Sequence, residues 1–406
     1  MAKTKAPKRQ AKVSTQAVAE AANRFFQGFF KAQSREFNWL IAIVIFLVGV
    51  GLLMVLSASF VDALKSSNNA FAIFNKQLIT AVLGAFALFV LASMPPEAFR
   101  RLVIPASGIA LLVQVLTVFT PLGTSVNGNR NWINLFGFTI QPSEFLKLFL
   151  IVYTANFIQE RQAELHDPKR VWFPLVAIAI VFMAPVLFGG DVGTVIVMAA
   201  FTFGLWSFAG LPRRLVNAFI VLALVAIPVI FFSNGSRRGR ILAWLNPTAA
   251  DPNDYNWQAT HGIWAFAAGG LGGVGLGQSK LKWSWIPEAE NDFIFAIIGE
   301  ELGLIGAITL IVLFVALAFV MIRIAMRTND IFKRMIVLGV MLWISLQAFI
   351  NIAVVLTLLP VLGVPLPLIS AGGSSLLATL MAFGVVLSIE RENHRLSTTP
   401  SRRAGR

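Results

Sequence analysis

Ten stretches of almost unbroken apolar residues punctuate this chain, at 39–60, 77–94, 102–120, 143–159, 172–189, 192–210, 215–232, 299–325, 334–358 and 373–390, with short polar segments between most of them. A helix needs roughly 20 apolar residues to cross a bilayer core, and in lipid each spanning backbone must satisfy its own hydrogen bonds. The runs lack the strict alternation of a transmembrane barrel strand. The pattern therefore predicts an all-α polytopic integral membrane protein with about ten transmembrane helices.

Two connections are too long to be simple turns: Pro121 to Gln141, and a segment of some 65 residues, 233–298, between spans seven and eight. Loops longer than about 15 residues are usually functional. The longer one carries Trp244, Trp257, Trp264, Trp283 and Trp285, half of the ten tryptophans. Indoles favour the headgroup level, so this segment is expected to be partly helical and to fold back along the membrane surface. The basic residues then orient the chain: 24 of the 33 Lys and Arg fall on the side of the two tails and eight on the other. The bias puts both termini in the cytoplasm and the long segments on the extracytoplasmic side. The domain plan is a basic cytoplasmic tail at 1–38, a membrane domain at 39–390, with 233–298 as its large extracytoplasmic loop, and a second basic tail at 391–406. The first tail precedes a run long enough to span, so it reads as a tail before a signal anchor, not a cleaved signal. Within it Val18–Lys31, with Phe25, Phe26, Phe29 and Phe30, suits the membrane surface as well as it suits a solvated tail.

Composition changes the picture mainly by exclusion. The chain is 57% hydrophobic and 13% charged, against roughly 25% charged in soluble domains. The absence of cysteine removes disulfides, thiolate zinc and thiol nucleophiles. His166, His261 and His394 lack ligand spacing. A net charge of +14 spread over short inter-span segments is a topology signal and not a nucleic-acid patch.

Candidate chemistry concentrates in Lys282–Gly303, where Glu288, Glu290 and Asp292 precede an apolar run and Glu300 and Glu301 lie two turns further in. Intramembrane carboxylates are costly and mark cavities or functional sites. Asp292, at the water boundary of an apolar pocket, suits a general base; an aspartate before an apolar helix is equally a helix cap. Gln141, Glu144 and Lys147 are spaced by three and share a helix face, either lining a cavity or neutralising one another to pin packing. Asp191 follows Gly189-Gly190 and can cap the helix that starts at Val192. Gly269–Gly277 has neither the strand nor the Gly-Lys-Ser/Thr of a phosphate loop, so it is expected to let backbone approach lipid or a neighbouring helix. Gly363–Ser375, rich in Pro and Gly, needs shelter from lipid and is a candidate cavity wall.

Taken together these residues resemble the SEDS family of cell-wall shape, elongation, division and sporulation proteins. The resemblance runs in order through Asn127-Gly128, Trp132-Ile133, Gln141-Pro142-Ser143-Glu144 with Lys147, Asp191 with Gly193-Thr194, Gln258, Gly275-Leu276-Gly277, Lys282, Pro287-Glu288-Ala289, Asp292–Phe295, Glu300–Gly303, Gln347, Asn351, Pro360, Leu366–Ser370 and Gly372–Ser375. The Ile298–Gly303 run and the long basic tail resemble the division branch more than the elongation branch. Asn131, Gly190, His261 and Ala371 depart from the family pattern, which commonly has Arg, Pro, Gln and Tyr there.

The resemblance implies a peptidoglycan glycosyltransferase acting on lipid II, a disaccharide-pentapeptide on undecaprenyl pyrophosphate, in septal wall synthesis. It assigns proton abstraction to Asp292. Lys282 and Arg130 become candidates for stabilising the leaving pyrophosphate, with a divalent cation (Mg2+ or Mn2+) as a further option. Trp132, Gln141, Glu144, Lys147, Asp191, Glu288, Ser370, Gly372 and Gly373 are implied as cavity or substrate contacts. The implied partners are a class B penicillin-binding protein and other divisome proteins, not nucleic acid. Two other readings stay open, a lipid II flippase and a non-catalytic divisome scaffold.

Overall fold

The computed structural model describes residues 33–126, 128–135, 137–232, 235–246, 256–283 and 285–398; the surface stretch at Val18–Lys31 and most of both tails lie outside them. A helix stands at each of the ten expected spans. These are α1 (Arg35–Ser67), α2 (Ala72–Ser93), α3 (Pro96–Phe119), α4 (Pro142–Glu160), α5 (Phe173–Phe188), α6 (Val192–Phe208), α7 (Arg213–Phe232), α10 (Ile294–Arg327), α11 (Ile331–Val355) and α12 (Gly373–Thr398). Two further helices lie in the long segment, α8 (Gly235–Leu245) and α9 (Trp257–Gly269), which is therefore partly helical as expected. Among the described residues, seven helices are long and apolar enough to cross a membrane: α1, α2, α3, α5 with its preceding turn, α10, α11 and α12. Helix α4 is less apolar because it carries Glu144, Lys147 and Asn156 inward. The chain is an integral membrane protein.

The all-α expectation needs one correction. The segment between α3 and α4 is a three-stranded antiparallel sheet, β1 (Gly123–Val126), β2 (Asn129–Leu135) and β3 (Phe138–Ile140), in the order β1-β2-β3. Gly128 and Gly137 take φ of 82° and 83° at its two turns, the left-handed backbone that tight hairpins require. Thr124 pairs with Trp132, and Ile133 with both Gly123 and Ile140. Asn127-Gly128 was the hairpin signal in the sequence.

Both described chain ends meet at one end of the bundle. Ser34 Oγ donates to Glu390 Oε1 at 2.6 Å, and Glu36 pairs with Arg323 at 3.3 Å and with Arg327. Helix α1 begins four residues before the expected span, with Ser34 as its side-chain cap. Helices α11 and α12 are the most enclosed spans.

At the opposite end α10 is broken. Gly303 has φ 68° and ψ −168° inside the helix, and the glycine loop after α9 fills the gap. Val274 N donates to Glu300 O (2.9 Å), Gly275 N to Glu301 O (3.1 Å), Leu304 N to Gly270 O (2.9 Å) and Ile305 N to Leu271 O (3.2 Å). Backbone at this depth has no water to turn to, so loop and broken helix complete each other. A Cβ at Gly303 would strike Gly273 N, and one at Gly273 would strike Glu301 O. This bears out the expectation that the glycines serve close approach to a helix.

The two glutamates before the break act as a latch. Glu300 accepts from Ser279 Oγ (2.5 Å) and Lys280 N (2.9 Å). Glu301 accepts from Ser57 Oγ (2.6 Å) and pairs with Lys282 Nζ at 3.1 Å. Lys282 Nζ also donates to Ser57 Oγ and Gly277 O. All three charged groups are buried, and an ion pair at such a site holds only when its remaining donors and acceptors are satisfied.

Gly303→Ala is expected to lower stability by about 2 kcal/mol or more, since left-handed backbone costs an L-residue roughly 1–2 kcal/mol before the clash. Thermal unfolding in detergent is the measurement. A variant that melts with wild type would show that the break is not a fixed feature.

Candidate active site

The site is organised by one face of α11, on which Trp343, Gln347 and Asn351 repeat every four residues. Gln347 Oε1 accepts from Trp343 Nε1 (2.8 Å) and Lys147 Nζ (2.9 Å), and its amide donates to Pro365 O (2.9 Å). One turn on, Asn351 Nδ2 donates to Asp292 O and Val364 O, both at 2.8 Å. These amides finish the backbone of two irregular segments, 288–293 and 361–372, that helical bonding leaves open.

Beneath this ladder Lys147 pairs with Glu144 at 2.8 Å and lies over the Trp343 ring at 4.9 Å from its centre. Both charged residues are buried, so of the two readings of the α4 stripe, neutralisation and packing describes them. Glu144 Oε2 has no hydrogen-bond partner among the described residues. Gln141, at the start of the stripe, is used differently. Its backbone N–H donates to Ser374 Oγ (2.9 Å) and its amide to Asp191 Oδ2 (2.7 Å). Asp191 Oδ1 accepts from Thr194 N at 2.9 Å, so Asp191 is a helix cap and also a partner of Gln141. Burial raises its carboxyl above the usual range despite the Thr194 bonds.

Asp292 is not a cap. Helix α10 starts at Ile294 after Phe293, which gives no side-chain cap, and the Asp292 carboxylate has no hydrogen-bond or ion-pair partner among the described residues. It is half-buried, with Oδ2 3.4 Å from where a Cβ on Gly363 would lie. Burial, then the charges of Glu288 and Asp191, push its pKa up to about 7, with Arg240 opposing. Glu290 is pushed up to about 7 as well, by burial and then Asp62 and Glu288, and its buried Oε2 is unpartnered. Glu288 is exposed and left-handed (φ 54°), and its carbonyl accepts from Asn291 N at 3.0 Å. Such backbone is uncommon outside glycine and recurs at functional sites.

The Pro/Gly loop is tied to the segment that carries Asp292. Ser370 Oγ donates to Asn291 O (2.6 Å) and accepts from Leu366 N (2.8 Å), while Ala371 N donates to Glu290 O (2.8 Å). Gln77 clamps the same turn, donating to Ser370 O (3.1 Å) and accepting from Gly372 N (3.2 Å). Gly373 opens α12 against Thr80. On the far side Gly193 packs against Leu362 O, so 361–364 separates the Asp191 turn from Asp292.

The structure thus brings Asp292, Glu288, Asp191, Gln141, Ser370, Gly372 and Gly373 to one end of the bundle. It sets Glu144 and Lys147 one tier deeper and commits Lys282 to the latch. Arg130 is exposed on β2, its guanidinium donating to Thr120 O (2.7 Å) and its backbone N–H to Gly189 O (2.7 Å). Trp132 is half-buried in the same strand. Gln77 and the α8 arginines were not singled out as site residues from sequence; Gln77 is a lone amide opening an apolar run, which was the available signal.

The departures from the family pattern have local partners. Asn131, fully buried, accepts from Gln114 Nε2 at 2.6 Å. Gly190 has φ 95°, which a proline ring forbids. His261 Nδ1 lies 2.8 Å from Trp257 O, and its ring sits beside Trp257, Trp264 and Trp285. Beside the polar centre, an apolar groove of about 350 Å3 runs between α3 and α4 under the sheet, walled by Ile109, Val113, Ile133, Ile140, Pro142 and Phe149. Ile140 and Pro142 flank Gln141, so the groove begins where the Asp191 contact ends. For a metal the donor set fits poorly: among the described residues no three acidic or histidine side chains converge.

The chain is 39% identical to the probable peptidoglycan glycosyltransferase FtsW of Mycobacterium tuberculosis over 371 residues, covering 91% of this chain and 70% of that protein. It is 36% identical to the stage V sporulation protein E of Bacillus subtilis, covering 87% and 96%. A chain of a solved peptidoglycan synthase complex, described as coordinating polymerisation and crosslinking, superposes with a TM-score of 0.73 at 26% identity, over 90% of this chain and 99% of that one. Residues 38–395 match the cell cycle protein family FtsW/RodA/SpoVE, and the chain belongs to that family.

Proposed function

We propose that this chain is a peptidoglycan glycosyltransferase that polymerises lipid II on the outer face of the bacterial cytoplasmic membrane, at the division septum, with ten spans and both termini in the cytoplasm. One observation carries the reading: Asp292 is a half-buried carboxylate with no hydrogen-bond or ion-pair partner among the described residues, its pKa pushed up to about 7, at the same end of the bundle as Gln141, beside which an apolar groove opens. The name of the Mycobacterium tuberculosis relative supports the activity, and that name with the cell cycle family supports the division role.

In the reaction an acceptor sugar hydroxyl attacks the donor's anomeric carbon. The new C–O bond forms as the bond from that carbon to the diphosphate oxygen breaks, its electron pair leaving with the diphosphate. The hydroxyl proton goes to Asp292. General bases work best with a pKa near the operating pH, and the carboxylates around Asp292 supply that by opposing its ionisation. Gln141 and Asp191 border the head of the substrate, and the groove under the sheet takes the polyprenyl tail. A divalent cation would neutralise diphosphate charge when bound, but the carboxylates present form no protein cage for one.

Asp292→Asn in purified, reconstituted protein is expected to lower polymer yield from lipid II by at least about 100-fold, the scale of general-base catalysis, with thermal unfolding unchanged. Full polymer yield would falsify the assignment; surviving lipid II translocation in liposomes together with lost wild-type polymerisation would favour the flippase.

The pH dependence has a definite sign. Below pH 7 Asp292 is protonated and cannot accept a proton, so kcat/KM is expected to fall about tenfold per unit there and to level off above. Glu290→Gln is expected to keep this acid limb, which separates the two groups that titrate together. A flat profile between about pH 5.5 and 8 contradicts the general-base role.

A cross-linking transpeptidase of the class B penicillin-binding type is the proposed partner, supported by the fold shared with a chain of a synthase complex. Reconstitution with the cognate transpeptidase is expected to raise the polymerisation rate severalfold; an unchanged rate and no stable complex on size-exclusion chromatography would reject it.

A further inference from the structure

Helix α8 lies across the site, held at both ends by side chains on one face. Arg237 Nη2 donates to Gly190 O at 2.9 Å, in the turn that precedes Asp191. Trp244 Nε1 donates to Thr357 O at 2.8 Å, just past the end of α11. Asn256 Nδ2 adds a bond to Ala243 O at 2.7 Å. Positions 237, 240 and 244 are spaced by three and four, so they share a helix face. Arg240 therefore faces the bundle between the Asp191 turn and the end of α11, where Asn351 and Gly363 place Asp292. It is half-buried and makes no ion pair or hydrogen bond among the described residues. Its charge nonetheless acts on Asp292.

An arginine so placed carries five donors in a planar fork that suits phosphate oxygens. Among the other cations, Lys282 and Lys147 are held in buried ion pairs with Glu301 and Glu144, Arg237 and Arg130 each donate to a backbone carbonyl, Gly190 O and Thr120 O, and Arg238 is exposed. The carboxylates at this end would repel a diphosphate without a cation set among them, and electrostatic stabilisation is strongest where charge develops in a water-poor site.

We propose that Arg240 holds the diphosphate of the polyprenyl-linked donor and stabilises its charge as the C–O bond breaks. The proposal rests on the reaction assigned above. It also gives α8 a role: a fixed bar across the site that hangs one cation opposite the base.

The test uses the full chain in nanodiscs, with its transpeptidase where activity requires it. Binding of undecaprenyl diphosphate, undecaprenyl monophosphate and undecaprenol is measured for wild type, Arg240→Ala, Arg240→Lys and Asp292→Asn. Arg240→Ala is expected to weaken diphosphate binding at least tenfold, to leave undecaprenol binding within twofold, and to raise KM for lipid II while lowering kcat. Arg240→Lys, a point charge without the fork, is expected to fall between. Asp292→Asn is expected to bind the diphosphate at least as well as wild type while making no polymer. Diphosphate binding within twofold of wild type in Arg240→Ala overturns the proposal, as does an equal loss for all three lipids, which marks a merely structural arginine. Should Arg240→Ala fail to fold, unweakened binding by Arg240→Lys and Arg240→Gln overturns it equally. An active Asp292→Asn instead overturns the underlying reaction and leaves the diphosphate-binding result to be read by itself.

Discussion

The site depends on two side-chain amides, Gln347 and Asn351, completing backbone that no helix can complete. Segments 288–293 and 361–372 are irregular and partly buried, and each buried carbonyl left unsatisfied there would cost on the order of 1–3 kcal/mol. Asn351 meets two such carbonyls with one amide nitrogen, Asp292 O and Val364 O. The main chain at Asp292 is fixed by this bond while its carboxylate has no partner among the described residues. A rigid backbone with an unbonded side chain is what preorganisation for proton transfer requires. The buried Lys147–Glu144 pair supports the ladder from below, holding Gln347 by its oxygen so that its nitrogen faces Pro365.

How far the sequence discloses this depends on the distance over which a residue's role is decided. The helices were legible because apolar runs are local: a helix stands at each of the ten, and among the described residues seven are long and apolar enough to cross a membrane. The Asp191 cap was legible for the same reason, as a bond across three residues. The sheet was less so, because its strands are short and its pattern is broken by polar residues; only Asn127-Gly128 announced it. Glu300 and Glu301 show the opposite failure. Intramembrane acids suggested a cavity, but their partners Ser279, Lys282 and Ser57 come from 19 to 244 positions away, and no local pattern reveals that these bonds are waiting for them. Arg240 is similar. In the sequence it is one basic residue on the outer side, and it becomes a site residue only when Arg237 and Trp244 fix which face of α8 looks inward.

The glycines have two distinct purposes at this end of the molecule. Gly303 and Gly273 let broken helix and loop exchange backbone hydrogen bonds at distances a Cβ would forbid. Gly190, at φ 95°, shapes the turn whose carbonyl receives Arg237. That left-handed backbone suits glycine and is closed to proline. The consequence is specific: the contact that anchors the N-terminal half of α8 depends on that glycine turn.

The charge arrangement follows from putting a diphosphate reaction at a membrane surface. A base needs a raised pKa to work near neutrality, and burial with neighbouring carboxylates provides it at Asp292. The same negative field would expel a substrate carrying phosphates. Moving the cations next to the base would quench it, because an ion pair with Asp292 would pull its pKa back down and occupy its oxygens. A guanidinium held opposite on a separate helix, outside bonding distance of the carboxylate, meets both demands. It offers phosphate oxygens a fork while lowering the carboxyl pKa only partly. Lys282, nearer in sequence, cannot do this because the latch that closes the α10 break consumes its charge. The separation of roles between Lys282 and Arg240 is thus a consequence of breaking α10 at Gly303: the break needs a buried cation, and the chemistry then needs another.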